Sequence, residues 1–426
     1  MNKMYATFDI STSGVKFAVI KISQNHVDPI LTYYKRAKVM NVNGEICNDE
    51  LLVEIIKYAV KNCEKTLDYT VDNVILNFPM INCKIKQSKR GILINKTLEV
   101  EDVAKLIGYS QELNGLNDNV LLTLIPESYE YDHHRTLIPP IGKKIQKLYL
   151  NSLVYLGNFK TYYRLLEIFK KAKISVSNFC LEAYATAYEV ANKTYLKDGC
   201  VIVDFGAESV KISLFHQNLL VDYRVLKMGA NSINKDIKYL IKDVGDKNIE
   251  LLKLRYADLK AGYLNINKDK DSFLLNNDFK VLYSTDGQPL IDEDKLQEIV
   301  YWRTKEIFYK ITELIRELTH GDSDKFKIII TGGGSAIKGL DCFFEKENYF
   351  TNYKIYKSTY IGVKNPIYCN VVGIGIYQNM VNYVSDHKIN SLKHKSLKER
   401  IFNTLNLKIL KLSQKNNKFQ QLLRKN

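Results

Sequence analysis

Short apolar runs broken by small polar residues recur along the chain. Over residues 4–22, Tyr5, Thr7 and Phe8 lead into Asp9, Ser11-Thr12-Ser13-Gly14 follow, and the stretch from Val15 is rich in β-branched residues. The pattern predicts a strand, a turn and a second strand, because β-branched and aromatic side chains suit a pleated surface and small polar ones suit the turn. The design returns at residues 200–215. An apolar strand ends at Asp204, Phe205-Gly206-Ala207-Glu208-Ser209 turn, and Val210 begins the next strand. A third strand at 326–331 runs into Gly332-Gly333-Gly334-Ser335, with a helix predicted after Ile337. Helical spacing appears at 50–62, before a strand at 73–78, and again at 293–318. The latter sets Leu296, Ile299, Val300, Ile307, Ile311, Leu314 and Leu318 on one face. The alternation predicts an α/β fold.

The three turns suit phosphate and nucleoside binding. An Asp closing a strand before a turn of small residues sets backbone N–H groups around a phosphate while the carboxylate faces its metal. Two such hairpins can hold a nucleotide tail from both sides. Asp9 with Ser11, Thr12, Ser13 and Gly14 forms one jaw, and Asp204 with Gly206, Ala207 and Ser209 the other. Lys16, seven residues after Asp9, is placed to neutralise phosphate charge. The triple-glycine loop lets backbone approach a nucleoside closely, since glycine has no Cβ. Taken singly, each piece is as readily an ordinary hairpin or tight turn; their order and spacing make the case. Adjacent histidines in a strand point to opposite faces, so His133 and His134 read as part of a polar turn and not as a shared metal site.

Composition sharpens this picture mainly through charge. The 426 residues carry 62 Lys+Arg against 47 Asp+Glu, a formal net charge of +15. Such a surplus usually implies an anionic partner. Residues 385–426 alone hold eleven basic and two acidic side chains, so they carry +9 and the long body only +6. The seven cysteines are scattered, odd in number and never spaced C-x-x-C. That excludes a disulfide framework and a zinc site, and fits buried thiols in a reducing cytosol. The N-terminus has no signal-peptide pattern, and no apolar run reaches the ~18 residues of a membrane span.

The basic tail has its own pattern. Residues 385–396 are polar and read as a linker. Beyond them Leu397, Ile401, Phe402, Leu405, Ile409, Leu412, Phe419, Leu422 and Leu423 follow a helical rhythm, with Lys, Asn and Gln on the other faces. A basic amphipathic helix marks an anionic membrane surface or a partner groove. The regular apolar stripe favours lipid, and no nucleic acid is expected.

Together these features resemble the actin-like ATPase superfamily, whose order is phosphate hairpin, connecting helix, second phosphate hairpin, adenosine loop and second connecting helix. The connecting helices correspond to Leu181-Glu182-Ala183-Tyr184-Ala185-Thr186-Ala187 and Val371-Val372-Gly373-Ile374-Gly375-Ile376. Three further segments narrow the likeness: Leu98-Glu99-Val100-Glu101-Asp102-Val103, Leu124-Ile125-Pro126-Glu127-Ser128-Tyr129-Glu130-Tyr131-Asp132 and Pro140-Ile141-Gly142-Lys143-Lys144. They resemble the inserted domain of the FtsA family of bacterial cell-division proteins, with Pro139 and Lys143 departing from its turn. Glu250 to Tyr256 and Arg303 to Ile307 resemble that family's helix beside the adenosine and the helix that follows.

The resemblance implies an actin-like (ribonuclease H-like) duplicated fold with an inserted α+β subdomain and a C-terminal amphipathic helix. It divides the chain into 1–81, 159–196 and 366–384 as subdomain 1A, 82–158 as the inserted subdomain 1C, 197–233 and 304–365 as 2A, 234–303 as 2B, 385–396 as linker and 397–426 as membrane helix. By the same resemblance the chain binds ATP and Mg²⁺, with Asp9 and Asp204 on the ion through water. Ser11, Thr12, Ser13, Gly14 and Lys16 would meet the phosphates from one side, and Gly206, Ala207 and Ser209 from the other. Glu250 and Lys253 would contact ribose or adenine, and Gly332, Gly333, Gly334 and Ser335 would line the base. Glu182 would orient the attacking water, or else serve helix packing. The implied partners are the C-terminal peptide of FtsZ, docking near Arg303, further copies of the chain in filaments, and an anionic membrane. The implied location is the cytoplasmic face of the membrane at the division site. Ala207 and Glu208 replace two glycines usual there, and Ser11 replaces another. A carboxylate at Glu208 would repel a γ-phosphate unless Mg²⁺ or Lys16 intervened or the side chain faced solvent, which points to slow hydrolysis. A pilus-assembly actin homologue of the PilM type and a metabolite or sugar kinase are the alternatives.

Overall fold

The computed structural model describes residues 3–23, 26–112, 118–241, 244–266, 281–283, 289–384 and 391–394. Two five-stranded sheets share one topology. The first runs, in spatial order, His26–Arg36, Gly14–Ser23, Lys3–Ser11, Asn73–Phe78, Ser175–Leu181. The second runs Leu219–Leu226, Val210–His216, Cys200–Phe205, Lys327–Thr331, Tyr353–Ile355. In each, three antiparallel strands are followed by two parallel ones. Parallel neighbours need long crossovers, and helices fill them. Asp49–Leu67 serves the first sheet; Glu293–Leu318 and Leu340–Glu347 serve the second. Both paired hairpins of the sequence reading are therefore present, each at the same place in its own half.

The helix Glu293–Leu318 has the predicted bounds. Leu296, Val300, Ile307, Ile311 and Leu318 are buried along it, Ile299 and Leu314 are partly covered, and Tyr301, Phe308 and Ile315 complete the face. Between the halves run two helices, Glu182–Val190 and Cys369–Val384. The first is short and rich in alanine, and nearly all its side chains are buried. A Cβ placed on Gly373 would sit 1.8 Å from the carbonyl oxygen of Ala185. Glycine at 373 is thus what lets the two helices touch. Gly373→Ala is expected to lower the melting temperature by several degrees, since overpacking of this kind costs about 1–3 kcal/mol. An unchanged thermal melt would show that the helices part at no cost.

A four-stranded sheet stands on the first half, in the order Cys83–Thr97, Lys144–Asn158, Asn119–Tyr131, His134–Thr136. The helix Val100–Gln111 covers it, and Leu98, Val103, Leu106, Leu148 and Leu150 form a small separate core. Glu99 and Asp102 form a reciprocal capping box at the helix start. The Gly142 turn is tied to that start, its N–H donating to the Leu98 carbonyl at 2.9 Å. His133 lies in a tight turn at positive φ, while His134 begins the next strand.

The segment read as a linker at 385–396 needs correcting over its described residues, 391–394. Leu392–His394 is a strand, antiparallel to Tyr69–Val71. Ser391 donates to the Met4 carbonyl, and Asp72 donates to the Ser391 carbonyl, each at 2.8 Å. Leu392 is buried in the core of the first half. The free edge of Tyr69–Val71 offers backbone groups that need partners, and this passing segment supplies them. The apolar positions of the expected tail helix, Leu397, Ile401, Phe402, Leu405, Ile409, Leu412, Phe419, Leu422 and Leu423, lie outside the described residues. No helix among the described residues is long and apolar enough to cross a membrane. All seven cysteines are free, five of them buried.

Candidate functional site

The two phosphate-type hairpins face each other across a cleft of about 930 Å³. Asp9 lies near the end of the first hairpin's leading strand. Asn77, on the neighbouring parallel strand, fixes that end by accepting from the Ile10 N–H at 2.9 Å and donating to the Ile10 carbonyl at 3.3 Å. Lys16 stands opposite Asp9 in register and donates to its Oδ2 at 2.7 Å and to Ser11 Oγ at 3.0 Å. Asp9 and Lys16 are both buried. Asp9 Oδ1 is buried as well and has no hydrogen-bond partner among the described residues.

The second hairpin repeats the arrangement. Lys211 stands opposite Asp204 in register. Its ammonium lies 3.8 Å from Asp204 Oδ2 and donates to Glu182 Oε1 at 2.7 Å. Glu182 begins the first connecting helix, and its other oxygen accepts from the Met80 N–H at 3.3 Å. Burial pushes the Glu182 carboxyl up; Lys211 pulls it back, while Asp204 and Asp9 add to the rise. Burial opposes the charge on Lys211, but Glu182 and Asp204 more than offset it and hold the ammonium protonated. The carboxylate expected to orient water is therefore engaged at both oxygens.

The predicted site residues divide into those that reach the cleft and those that build it. Asp9, Ser11, Thr12, Ser13, Lys16, Glu182, Asp204, Gly206, Ala207, Glu250, Lys253, Gly332, Gly333 and Gly334 line it. Gly14, Ser209 and Ser335 are not among the lining residues and serve the shape of the turns. A Cβ on Gly14 would stand 2.2 Å from the Lys35 carbonyl, so this residue is required by the neighbouring strand. Ser209 accepts from the Gly206 N–H at 3.1 Å and closes the turn, and Ser335 Oγ donates back to the Gly332 carbonyl at 2.7 Å. The triple glycine also has a different reason from the one expected. A Cβ on Gly332 would meet Asp204 Oδ1 at 2.3 Å, and one on Gly334 the Phe205 ring at 2.6 Å. Only Gly333 has open space where its Cβ would be.

Glu208 turns toward the helix Ala230–Leu240. It accepts from Asn231 at 2.7 Å and pairs with Lys235 at 3.3 Å, so its charge is answered locally. Glu250 pairs with Lys253 at 3.2 Å, accepts from Asn234, and meets Arg36 of the other half at 3.8 Å. Burial works to raise the Glu250 carboxyl, but Lys253 and Asn234 outweigh it and hold it low; burial lowers Lys253. Arg303 is engaged with Asp236, in a two-pronged contact, and with Glu306. Sequence reasoning missed Tyr34, Arg36 and Lys211 as cleft residues. The spacing that singled out Lys16 leads equally from Asp204 to Lys211, and was the signal for it.

Among the described residues no group of three or more His, Cys, Asp or Glu could hold a metal by itself. The unpartnered Asp9 Oδ1 does suit a cation that arrives already bound to phosphate oxygens. The fit is to a metal–nucleotide complex and not to a protein-only metal centre.

The sequence profile of the family "Cell division protein FtsA" matches residues 201–373. The FtsA of Enterococcus faecalis is 21% identical over 387 residues, spanning 89% of this chain and 84% of the relative. The FtsA of Bacillus subtilis is 21% identical over 380 residues, spanning 88% and 83%.

The chain is similar to FtsA proteins over most of its length.

The FtsA of one Buchnera aphidicola strain, 23% identical over 378 residues, covers 85% of the chain and 87% of itself. Solved structures show the fold. The PilM–PilN type IV pilus biogenesis complex aligns with a TM-score of 0.59 at 12% identity, over 88% of this chain and 98% of that one. MreB5 of Spiroplasma citri, solved bound to ADP, aligns with a TM-score of 0.52 at 14% identity, over 90% and 99%. The duplicated sheets are those of the actin-like fold.

Proposed function

We propose that this chain is an ATP-binding, actin-like division adaptor that polymerises and ties FtsZ filaments to the inner face of the cytoplasmic membrane at the septum. The observation that carries the reading is the relationship to FtsA over most of both chains. The facing hairpins support it. Asp9 and Asp204 would hold Mg²⁺ through water, with Ser11, Thr12, Ser13 and Lys16 on the phosphates from one half and Gly206 and Ala207 from the other. The metal would supply charge neutralisation for the phosphates. Glu250 and Lys253 would meet the ribose or adenine, and the Gly332–Gly334 loop would lie beside the base. Hydrolysis would be slow, because Glu182 is engaged with Lys211 and with the Met80 N–H. Arg303 would take the acidic FtsZ peptide in competition with Asp236. A pilus role rests on likeness of fold alone. A kinase would need a free base at the second hairpin, where Asp204 lies beside Lys211 and Glu208 is paired with Lys235.

Co-sedimentation decides the partner. The full chain is expected to pellet with FtsZ polymers and to be released by the FtsZ C-terminal peptide; no pelleting would overturn the adaptor reading. Calorimetry decides the cleft. Asp204→Ala is expected to weaken ATP binding roughly tenfold or more, a loss of about 1.4 kcal/mol at the least. Unchanged affinity would remove the site from this cleft.

A further inference from the structure

We propose that Lys211 is a phosphate-binding residue, the second half's counterpart of Lys16, and that it leaves Glu182 for the nucleotide's terminal phosphates. The proposal rests on the cleft being a nucleotide site. Its ground is the internal duplication. Asp9 and Lys16 are cross-strand partners in the first hairpin, and Asp204 and Lys211 are cross-strand partners at the same place in the second. Directly opposed residues in an antiparallel pair point to one face. Both lysines therefore stand beside an aspartate on the cleft side, and both line the cleft.

The two pairs differ in one respect. Lys16 sits 2.7 Å from its aspartate, whereas Lys211 stands 3.8 Å from Asp204 because Glu182 draws it away. The Lys211 side chain is also the more open of the two, 18% exposed against 6%. Glu182 belongs to the connecting helix and Lys211 to the second sheet, so their ion pair bridges separate elements at the floor of the cleft. A polyphosphate entering between the hairpins offers more negative charge than one carboxylate, and charge-assisted hydrogen bonds to phosphate oxygens are strong. An ammonium carried on a flexible four-carbon stem can change partners without moving the sheet. The exchange would release Glu182 only when terminal phosphates are present, so Lys211 would favour triphosphate over shorter nucleotides.

The competing account is purely structural: Lys211 neutralises Glu182 and Asp204 and never meets ligand. ATP and ADP titrations of the full chain with Mg²⁺, read by calorimetry, separate the two. Lys211→Ala is expected to weaken ATP binding roughly tenfold and ADP binding less, and Lys211→Arg to retain most of the affinity. Glu182→Gln, which removes the competing anion, is expected to tighten ATP binding several-fold. The decisive variant is Lys211→Met combined with Glu182→Gln, which leaves no unpaired carboxylate at 182 and guards against simple misfolding. It is expected to stay roughly tenfold weaker than Glu182→Gln alone. Recovery of wild-type affinity in the double variant would overturn the proposal and leave the nucleotide site standing. Equal losses for ATP and ADP in Lys211→Ala would overturn the preference for terminal phosphates. Failure of the unaltered chain to bind either nucleotide would overturn both readings together.

Discussion

A chain cut after Ser396 is expected to stay at the bottom of a density gradient in which the full chain floats with anionic liposomes. Residues 397–426 hold eight Lys or Arg and a single Glu, interleaved with the apolar positions from Leu397 to Leu423. Each basic residue near an anionic surface contributes about 1 kcal/mol, and each well-buried Leu or Ile about 1.5–3 kcal/mol. Ordering the segment costs about 1–2 kcal/mol per residue. That cost is at least as large as the gain, so one tail alone binds weakly and reversibly, and firm binding comes from many tails along a filament through avidity. Flotation should weaken as salt rises and on uncharged lipid, since part of the attraction is screened. The point of truncation follows from the fold. A cut at Ser385 would also strip away Leu392–His394, uncover the edge of Tyr69–Val71 and open the core around Leu392. Loss of binding would then mix a missing anchor with a damaged body. Cutting after Ser396 leaves the strand in place. Equal flotation of the shortened and full chains would exclude the tail as the lipid contact.

The second large effect concerns pH. Glu189 lies near the end of the first connecting helix, buried, with one oxygen accepting from the Tyr356 hydroxyl at 2.7 Å and the other without a hydrogen-bond partner among the described residues. Burial pushes its carboxyl up to about 7 from the usual 4.5, against the pull of that hydrogen bond. The folded chain therefore keeps this proton more tightly than the unfolded chain does. The group's contribution is fully present below about pH 4.5 and is lost as pH rises through about 7. The whole change amounts to about 3 kcal/mol. Glu189→Gln keeps an acceptor for Tyr356 and carries no charge. It is expected to match the parent at pH 5 and to melt several degrees higher at pH 8. Parallel melting curves for the two proteins across that range would show that the carboxyl is not strained by burial.

The actin-like halves were legible in the sequence because their signals are local. Strand periodicity, the Asp-ended turns and the helical face of Glu293–Leu318 each span a few turns of chain. Covalent spacing and the 2- and 3.6-residue periods place such residues together whatever the rest of the molecule does. The insertion was legible through the resemblance of three short segments to the FtsA inserted domain, whereas the tie between the Gly142 turn and Leu98 joins residues far apart in sequence.

What the sequence hid depends on which distant backbones meet. Glycine at 332 and 334 is needed by Asp204 and Phe205, and glycine at 373 by Ala185. No window of sequence contains both members of any of these contacts. The Leu392–His394 strand reads as polar linker because its stability comes from an open edge more than three hundred residues earlier. Likewise the charge of Glu182 is set by Lys211 from another sheet, Glu208 by a neighbouring helix, and Arg303 by Asp236. The sequence by itself determined which residues carry the chemistry and that they come in two matched sets. The tertiary structure alone decided which of those charges face the cleft free and which are already answered. Electrostatic energy falls with distance in space, and folding sets those distances without regard to separation along the chain.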